Sequence, residues 1–95
     1  ILLAPTLIEE DPGAEGNRRL LHYVAAMRAV ALDKKCEFAD LHALFLEALQ
    51  HKPAAIKGNW LTQDGVHMSQ LGDAVITVGV LRALGIPEKD LAEFK

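Results

Sequence analysis

The sequence predicts an α/β fold built around a parallel sheet. Two short apolar stretches, Ile1–Thr6 (ILLAPT) and Cys36–Asp40 (CEFAD), have the composition of strands, and apolar side chains recur at helical spacing between and after them. The resulting order of strand, helix, strand and helix is typical of parallel strands joined by helical connections. The consecutive aliphatic residues of the first strand also indicate burial on both faces, which requires neighbours on both sides. We therefore expect the 95 residues to form the C-terminal part of a larger domain, or a half that docks onto another chain.

The first two helices are predicted from apolar periodicity and from residues that favour helix ends. An acidic loop with one proline and two glycines, Leu7–Gly16, separates the first strand from the first helix. Asn17 is the expected N-cap of that helix, which should end near Asp33–Lys35. Asp40 is the expected N-cap of the second helix, and Pro53 should end it. The apolar positions of the first helix are Leu20, Val24, Met27 and Ala31.

The last third of the chain predicts an irregular segment followed by a long helix. Residues 54–67 contain glycine and asparagine and show no sustained period. Ser69 should cap a helix over Gln70–Leu84, most of whose circumference we expect to be buried. Gly72 and Gly79 lie on one face of this helix, where they would allow close packing, since a glycine within a helix costs about 1 kcal/mol relative to alanine. A short helix is expected within residues 87–94.

Composition and charge argue against several classes of partner. The net charge is −3 and basic residues do not alternate with aromatic ones, so we expect no nucleic-acid surface. The apolar run AVITVGVL falls far short of the roughly 20 residues that span a bilayer. The single cysteine, Cys36, cannot form an intramolecular disulfide, and we expect it to be buried and inert. No compartment is indicated.

A possible catalytic pair lies in the stretch WLTQDGVHMSQLGDAV, where Asp64 and His67 flank a glycine. Acyl transfer to a serine needs a base to take the hydroxyl proton and a carboxylate to hold that base in the correct tautomer. In a turn before a helix, residues three apart can bring a carboxylate beside an imidazole Nδ1. The spacing alone is also compatible with an aspartate that only caps a turn and a histidine that binds a backbone carbonyl.

The segment LTQDGVHMSQLGDAVITVGVLRALGIP resembles the last conserved block of the SGNH (GDSL-type) esterase and acylhydrolase family. The matching residues are Asp64, Gly65, His67, Ser69 and Gly72. The upstream stretches ILLAPT, GNRRLLHYVAAMRAVA and CEFADLHALF resemble the strands and helices that precede this block in the family, in the same order. The resemblance thus covers nearly the whole chain.

This resemblance implies a three-layer α/β/α, flavodoxin-like doubly wound sheet, of which residues 1–95 are the C-terminal portion. It implies a serine-type ester hydrolase, acting on a small acyl ester or a carbohydrate acetyl ester, with His67 as general base and Asp64 as its orienting partner. No cofactor is implied. The family's nucleophile and oxyanion blocks are not in this sequence, and Ser69, the only serine, is poorly placed to act with His67. The isolated chain is therefore expected to be inactive and to need the N-terminal half as its partner.

Two other interpretations remain open from the residues. A non-catalytic α/β fragment could dock onto a partner through the exposed edge of Ile1–Thr6, in which case His67 would face the core or a backbone carbonyl. A metal-dependent hydrolase would need further ligands, but no H-x-x-x-H or C-x-x-C spacing is present. Glu9–Asp11 follow a strand end, where ligands bind in open α/β sheets, although we expect a solvated acidic turn there. The remaining histidines are His22, His42 and His51.

Overall fold

Two short strands pair in parallel within the described part of the protein. The computed structural model describes residues 1–91, and the chain order is β1 (Leu2–Leu3), α1 (Glu15–Lys34), β2 (Phe38–Ala39), α2 (Leu41–Leu49), α3 (Gln70–Ala83) and α4 (Glu88–Leu91). The strands align Leu2 with Phe38 and Leu3 with Ala39. This is the predicted α/β class with a parallel sheet, and α1 is the crossover that parallel pairing requires.

The first strand is shorter and more exposed than the sequence indicated. Ile1 is 53% and Leu3 41% exposed, whereas Ala4 and Leu7 are buried. The expectation of burial on both faces is therefore wrong for this strand. Its only sheet neighbour among the described residues is β2, and Leu2 between the two exposed side chains is partly buried.

Helix α1 begins three residues earlier than predicted, and Asn17 is not its N-cap. Ala14 occupies the cap position and offers no side-chain hydrogen bond. Asn17 lies inside the first turn, is buried, and binds the preceding loop through its carboxamide. The prediction was wrong because the Asn17 side chain forms its hydrogen bonds with the backbone of the preceding loop and accepts none from the N–H groups of the helix. The helix ends as expected near Lys35, which adopts the left-handed conformation with φ of 57°.

The second and third helices have the predicted caps. Asp40 accepts a hydrogen bond from the Ala43 N–H at 3.0 Å, and Ser69 accepts one from the Gly72 N–H at 3.2 Å. Helix α2 ends at Leu49, four residues before the proline expected to end it. Between α2, α3 and the loops lies a core of buried side chains, Leu7, Phe45 and Leu61.

The two glycines of α3 are sites of close packing, as predicted. A Cβ at Gly72 would lie 2.0 Å from the Leu61 carbonyl oxygen, and one at Gly79 would lie 2.6 Å from a methyl group of Leu41. The rest of α3 is less buried than expected: Leu71 is 39% exposed and Thr77 is also exposed. The buried residues of α3 are Gly72, Val78 and Gly79, so burial of most of its circumference is not observed, although α2, β2 and α4 all contact it.

The C-terminal helix matches its prediction over the described residues, whereas the single cysteine does not match its own. Helix α4 accounts for part of the expected terminal helix, and the remainder of that prediction lies outside the described residues. Cys36 is exposed, so its predicted burial is wrong; it follows the end of α1 and precedes β2, where the chain runs over the surface. Of the helices in residues 1–91, none combines the length and the apolar character needed to cross a membrane.

Candidate active site

The candidate pair lies at the tip of a tight loop that leads into α3. This loop, Trp60–Ser69, is called the site loop below. The Gln63 N–H donates to the His67 carbonyl at 2.7 Å, and the Ser69 N–H donates to the Leu61 carbonyl at 3.0 Å. The two arms of the loop therefore pair like a short antiparallel ladder and bring its ends together just before the helix.

Within this loop, Asp64 and His67 are in direct contact. Oδ2 of Asp64 lies 2.7 Å from Nδ1 of His67, so the imidazole Nδ1–H donates to the carboxylate. Oδ1 of Asp64 accepts from the backbone N–H groups of Val66 and His67 at 2.9 and 2.8 Å. One carboxylate thus caps the turn with one oxygen and orients the imidazole with the other.

Both side chains of the pair face solvent. The side chain of His67 is 78% exposed and that of Asp64 is 55% exposed. The Nε2 of His67 has no hydrogen-bond partner within residues 1–91. The backbone N–H of His67, its imidazole and the N–H of Val66 together hold the pKa of Asp64 far below its usual range, so the carboxylate is ionised near neutral pH. His67 neither faces the core nor binds a backbone carbonyl, contrary to the interaction-fragment interpretation.

Gly65 allows the turn to form and to lie against another part of the chain. Its φ of +97° is in the region that glycine adopts without strain. Its N–H donates to the Thr62 hydroxyl at 3.0 Å. A Cβ at this position would lie 3.2 Å from the carbonyl oxygen of Ile8. The site loop therefore rests on the segment that follows β1.

That segment, Ile8–Asp11, is called the anchor loop below, and it binds the site loop through Glu10. The Glu10 carboxylate accepts hydrogen bonds from the N–H groups of Trp60, Leu61 and Thr62 at 2.8 to 3.0 Å, and from the Thr62 hydroxyl at 2.5 Å. Burial raises the pKa of Glu10, but these hydrogen bonds outweigh it and leave the pKa below its usual value. The expectation of a solvated acidic turn is therefore wrong for Glu10, which is partly buried and whose two carboxylate oxygens both accept hydrogen bonds from the site loop.

Sequence reasoning missed this contact because the two partners are 50 residues apart. No local pattern distinguishes Glu10 from the neighbouring acidic residues Glu9 and Asp11. The one available signal was position, because Glu10 follows the carboxyl end of a parallel strand, where functional sites of open sheets lie.

The remaining candidate residues are not brought to the pair. His22 and His51 are exposed, and His42 is buried, with its Nδ1–H donating to the Thr6 carbonyl at 2.7 Å. The Ser69 hydroxyl donates to the Trp60 carbonyl at 3.0 Å while capping α3. Within residues 1–91, no three His, Cys, Asp or Glu side chains are grouped closely enough to hold a metal ion. No observation on these residues therefore favours the metal-dependent interpretation.

An apolar groove runs between α2 and α3, behind the site loop. Trp60 is the residue of the site loop that lines it, and neither Asp64 nor His67 does. The other lining residues are Leu44, Glu47, Ala48, His51, Leu71, Ala74, Val75, Val78 and Arg82.

The chain has an α/β fold of the hydrolase type, and the solved structures that it matches are hydrolases and esterases. It superposes on LAE5, an α/β hydrolase enzyme from the metagenome of Lake Arreo, Spain, with a TM-score of 0.74 and 30% identity over 90% of this chain. It superposes on Axe2, an acetylxylan esterase from Geobacillus stearothermophilus, with a TM-score of 0.74 and 28% identity over 92% of this chain. These matches confirm the resemblance to an esterase family that the sequence indicated.

The matches are partial with respect to the larger proteins. The chain spans 38% of the length of both LAE5 and Axe2. No protein-family model and no curated protein sequence matches it significantly. Solved structures of Axe2 include catalytic mutants in which a serine, an aspartate or a histidine is replaced by alanine, and that aspartate and histidine lie three positions apart. Asp64 and His67 have the same spacing.

Proposed function

We propose that this chain carries the aspartate–histidine pair of a serine-type ester hydrolase of the SGNH type. The observation that supports the proposal most directly is the 2.7 Å contact between Asp64 Oδ2 and His67 Nδ1, which leaves the opposite ring nitrogen unpartnered within residues 1–91. A base oriented in this way is what activation of a serine hydroxyl requires. The equal spacing of the aspartate and histidine replaced in catalytic mutants of Axe2 is an independent argument for the same roles.

In the proposed reaction, Nε2 of His67 takes the proton of a serine hydroxyl as that oxygen attacks the ester carbonyl. The Asp64 carboxylate stabilises the imidazolium that forms and keeps the neutral ring protonated at Nδ1. The imidazolium then gives its proton to the departing alkoxide, and a water molecule activated by the same nitrogen releases the acyl group. The printed description of Axe2 suggests the substrate class, an acetyl ester of a carbohydrate.

The nucleophile and the oxyanion donors would belong to the rest of the domain, of which residues 1–95 form the C-terminal portion in this proposal. Ser69 is the only serine in the sequence, and its hydroxyl is occupied by the Trp60 carbonyl and the Gly72 N–H. The exposed aliphatic side chains of Ile1 and Leu3 beside the sheet are consistent with a further layer covering them. The proposed partner of the chain is therefore the complementary half of the domain.

A chimera tests the proposal directly. The segment of the acetylxylan esterase that superposes on this chain is replaced by the chain, and hydrolysis of p-nitrophenyl acetate is measured. We expect His67→Ala to lower kcat by about 10³-fold or more, because removal of the histidine from a catalytic triad lowers kcat by at least that factor. The matched control is His22→Ala, which removes an exposed histidine of α1 and should leave kcat unchanged. An active chimera in which both variants hydrolyse the ester at the parent rate would contradict the proposal.

A further inference from the structure

Glu10 is connected to the candidate pair by a continuous set of hydrogen bonds. Its carboxylate accepts from the N–H groups of Trp60, Leu61 and Thr62 and from the Thr62 hydroxyl. The same hydroxyl accepts the Gly65 N–H, the amide that lies between Asp64 and His67 in the chain. Glu10 therefore touches the start of the site loop directly and its tip through one side-chain oxygen.

The anchor loop is itself held rigidly on the other side. Asn17, which is 1% exposed, accepts from the Ile8 N–H at 2.8 Å and donates to the carbonyls of Glu9 and Asp11 at 2.6 and 2.9 Å. The carbonyl of Ile8 in turn lies against Gly65. The long helix α1 thus fixes the anchor loop, and the anchor loop supports the turn that holds the pair.

We propose that Glu10 is a positioning residue, which sets the geometry of the Asp64–His67 pair by clamping the backbone at the start of the site loop and, through the Thr62 hydroxyl, the tip of that loop. This inference rests on the proposed function for its catalytic meaning, since Glu10 touches neither side chain of the pair. Both carboxylate oxygens take part: Oε1 accepts from the Leu61 N–H, Oε2 accepts from the Thr62 N–H, and both lie within hydrogen-bond distance of the Trp60 N–H. A partly buried, ionised carboxylate that accepts several N–H bonds makes a stronger clamp than a neutral acceptor would.

The isosteric variant Glu10→Gln is the sharpest test. A glutamine keeps one acceptor oxygen and places an NH₂ group opposite backbone N–H donors, so at least one of the Leu61 and Thr62 amides loses its partner. The matched control is Glu9→Gln, which removes an adjacent exposed carboxylate that makes no side-chain hydrogen bond within residues 1–91. The two variants carry the same change in charge.

The first readout is the tautomer of His67 in the full 95-residue chain, measured by ¹⁵N NMR of the imidazole at a pH where the ring is neutral. We expect the parent and Glu9→Gln to hold the proton on Nδ1, and Glu10→Gln to show a mixture of the two tautomers, because the Asp64 contact is loosened. The amide signals of α1 report whether the fold is intact. A folded Glu10→Gln chain that keeps the parent tautomer would overturn the proposal.

If Glu10→Gln does not fold, a second pair of variants decides the question. Thr62→Val removes the hydroxyl through which the Glu10 carboxylate is connected to the Gly65 N–H at the tip of the site loop, whereas Thr62→Ser keeps this connection. We expect the valine variant to show the mixed tautomer and the serine variant to match the parent. Equal spectra for the two would overturn the proposal.

The second readout is kinetic and separates this inference from the proposed function. In the esterase chimera, Glu10→Gln should lower kcat by about 10-fold or more with little change in KM, because small displacements of a catalytic group cost rate. Glu9→Gln should not. If His67→Ala leaves hydrolysis intact, the proposed function fails, but the tautomer measurement on the chain still shows whether Glu10 positions the pair. If His67→Ala abolishes hydrolysis while Glu10→Gln changes neither kcat nor the tautomer, only the positioning role fails.

Discussion

Asp64 serves the backbone and the imidazole at the same time. Oδ1 closes the turn through the N–H groups of Val66 and His67, and Oδ2 receives the imidazole Nδ1–H. The two roles place different demands on the side chain. A turn cap needs only one acceptor oxygen, whereas the imidazole needs an acceptor at the second oxygen as well. Replacing the carboxylate by an amide therefore separates the two roles.

We expect Asp64→Asn to keep the turn but to lose the orientation of the base. The amide oxygen can still accept the two backbone N–H bonds, while the NH₂ group faces Nδ1 and favours the wrong tautomer of the ring. In the esterase chimera, kcat should fall by about 10²- to 10⁴-fold. Asp73→Asn is the matched control, because Asp73 is an exposed aspartate in the first turn of α3. A loss of equal size in both variants would show that the effect does not come from the pair.

At the level of elements, the two glycines of α3 pack against two different kinds of neighbour, a backbone carbonyl and leucine side chains. Gly72 faces the Leu61 carbonyl, which belongs to the backbone of the site loop, whereas Gly79 faces the flexible methyl groups of Leu41 and Leu44 on α2. The first contact therefore links the start of the helix to the site loop. The second only sets the distance between two helices.

We expect Gly72→Ala to be far more damaging than Gly79→Ala. A Cβ at 2.0 Å from a carbonyl oxygen forces the backbone to move, while one at 2.6 Å from the end of a leucine can be relieved by a change of rotamer. Urea unfolding followed by circular dichroism should show a loss of about 3 kcal/mol or more for Gly72→Ala, and about 1 kcal/mol or less for Gly79→Ala. Equal losses at the two positions would contradict this explanation of the glycines.

The caps of α2 and α3 could be predicted from the sequence because they depend on near neighbours. Asp40 and Ser69 bind amides three residues further along the chain, and apolar spacing located α2 and α3. Asn17 was misassigned because its partners lie in the preceding loop, six to nine residues away, and no local rule favours that loop over the helix amides. The exposed face of β1 could not be predicted either, because burial depends on which elements are present beside a strand.

At the scale of the whole molecule, one hydrogen-bonded path runs from α1 to the candidate pair. Asn17 holds the anchor loop, Glu10 of that loop holds the site loop, and Thr62 passes the contact on to Gly65. The contact between Asp64 and His67 was foreseeable, because the two residues lie within four positions of sequence. Its support was not, since that support joins segments 50 residues apart that only the folded chain brings together.

We expect the same path to make the stability of the chain depend on pH in the acid range. Hydrogen bonds lower the pKa of Asp64, and they lower that of Glu10 against the opposing effect of burial, from ordinary values of 3.8 and 4.5. When a folded-state pKa lies below the unfolded one, the unfolded chain binds more protons, so the stabilisation is present above the unfolded pKa and is lost as the pH falls through the folded one. We therefore expect the urea midpoint to be level near neutral pH and to fall progressively below about pH 4.5. Glu10→Gln should have a lower midpoint than the parent near neutral pH and a smaller deficit in acid, because protonation removes the same clamp from the parent. Glu9→Gln is the matched control, and its urea midpoint should follow that of the parent as the pH is changed. If the midpoint of Glu10→Gln stays below that of the parent by the same amount down to about pH 3, Glu10 makes no pH-dependent contribution to the fold.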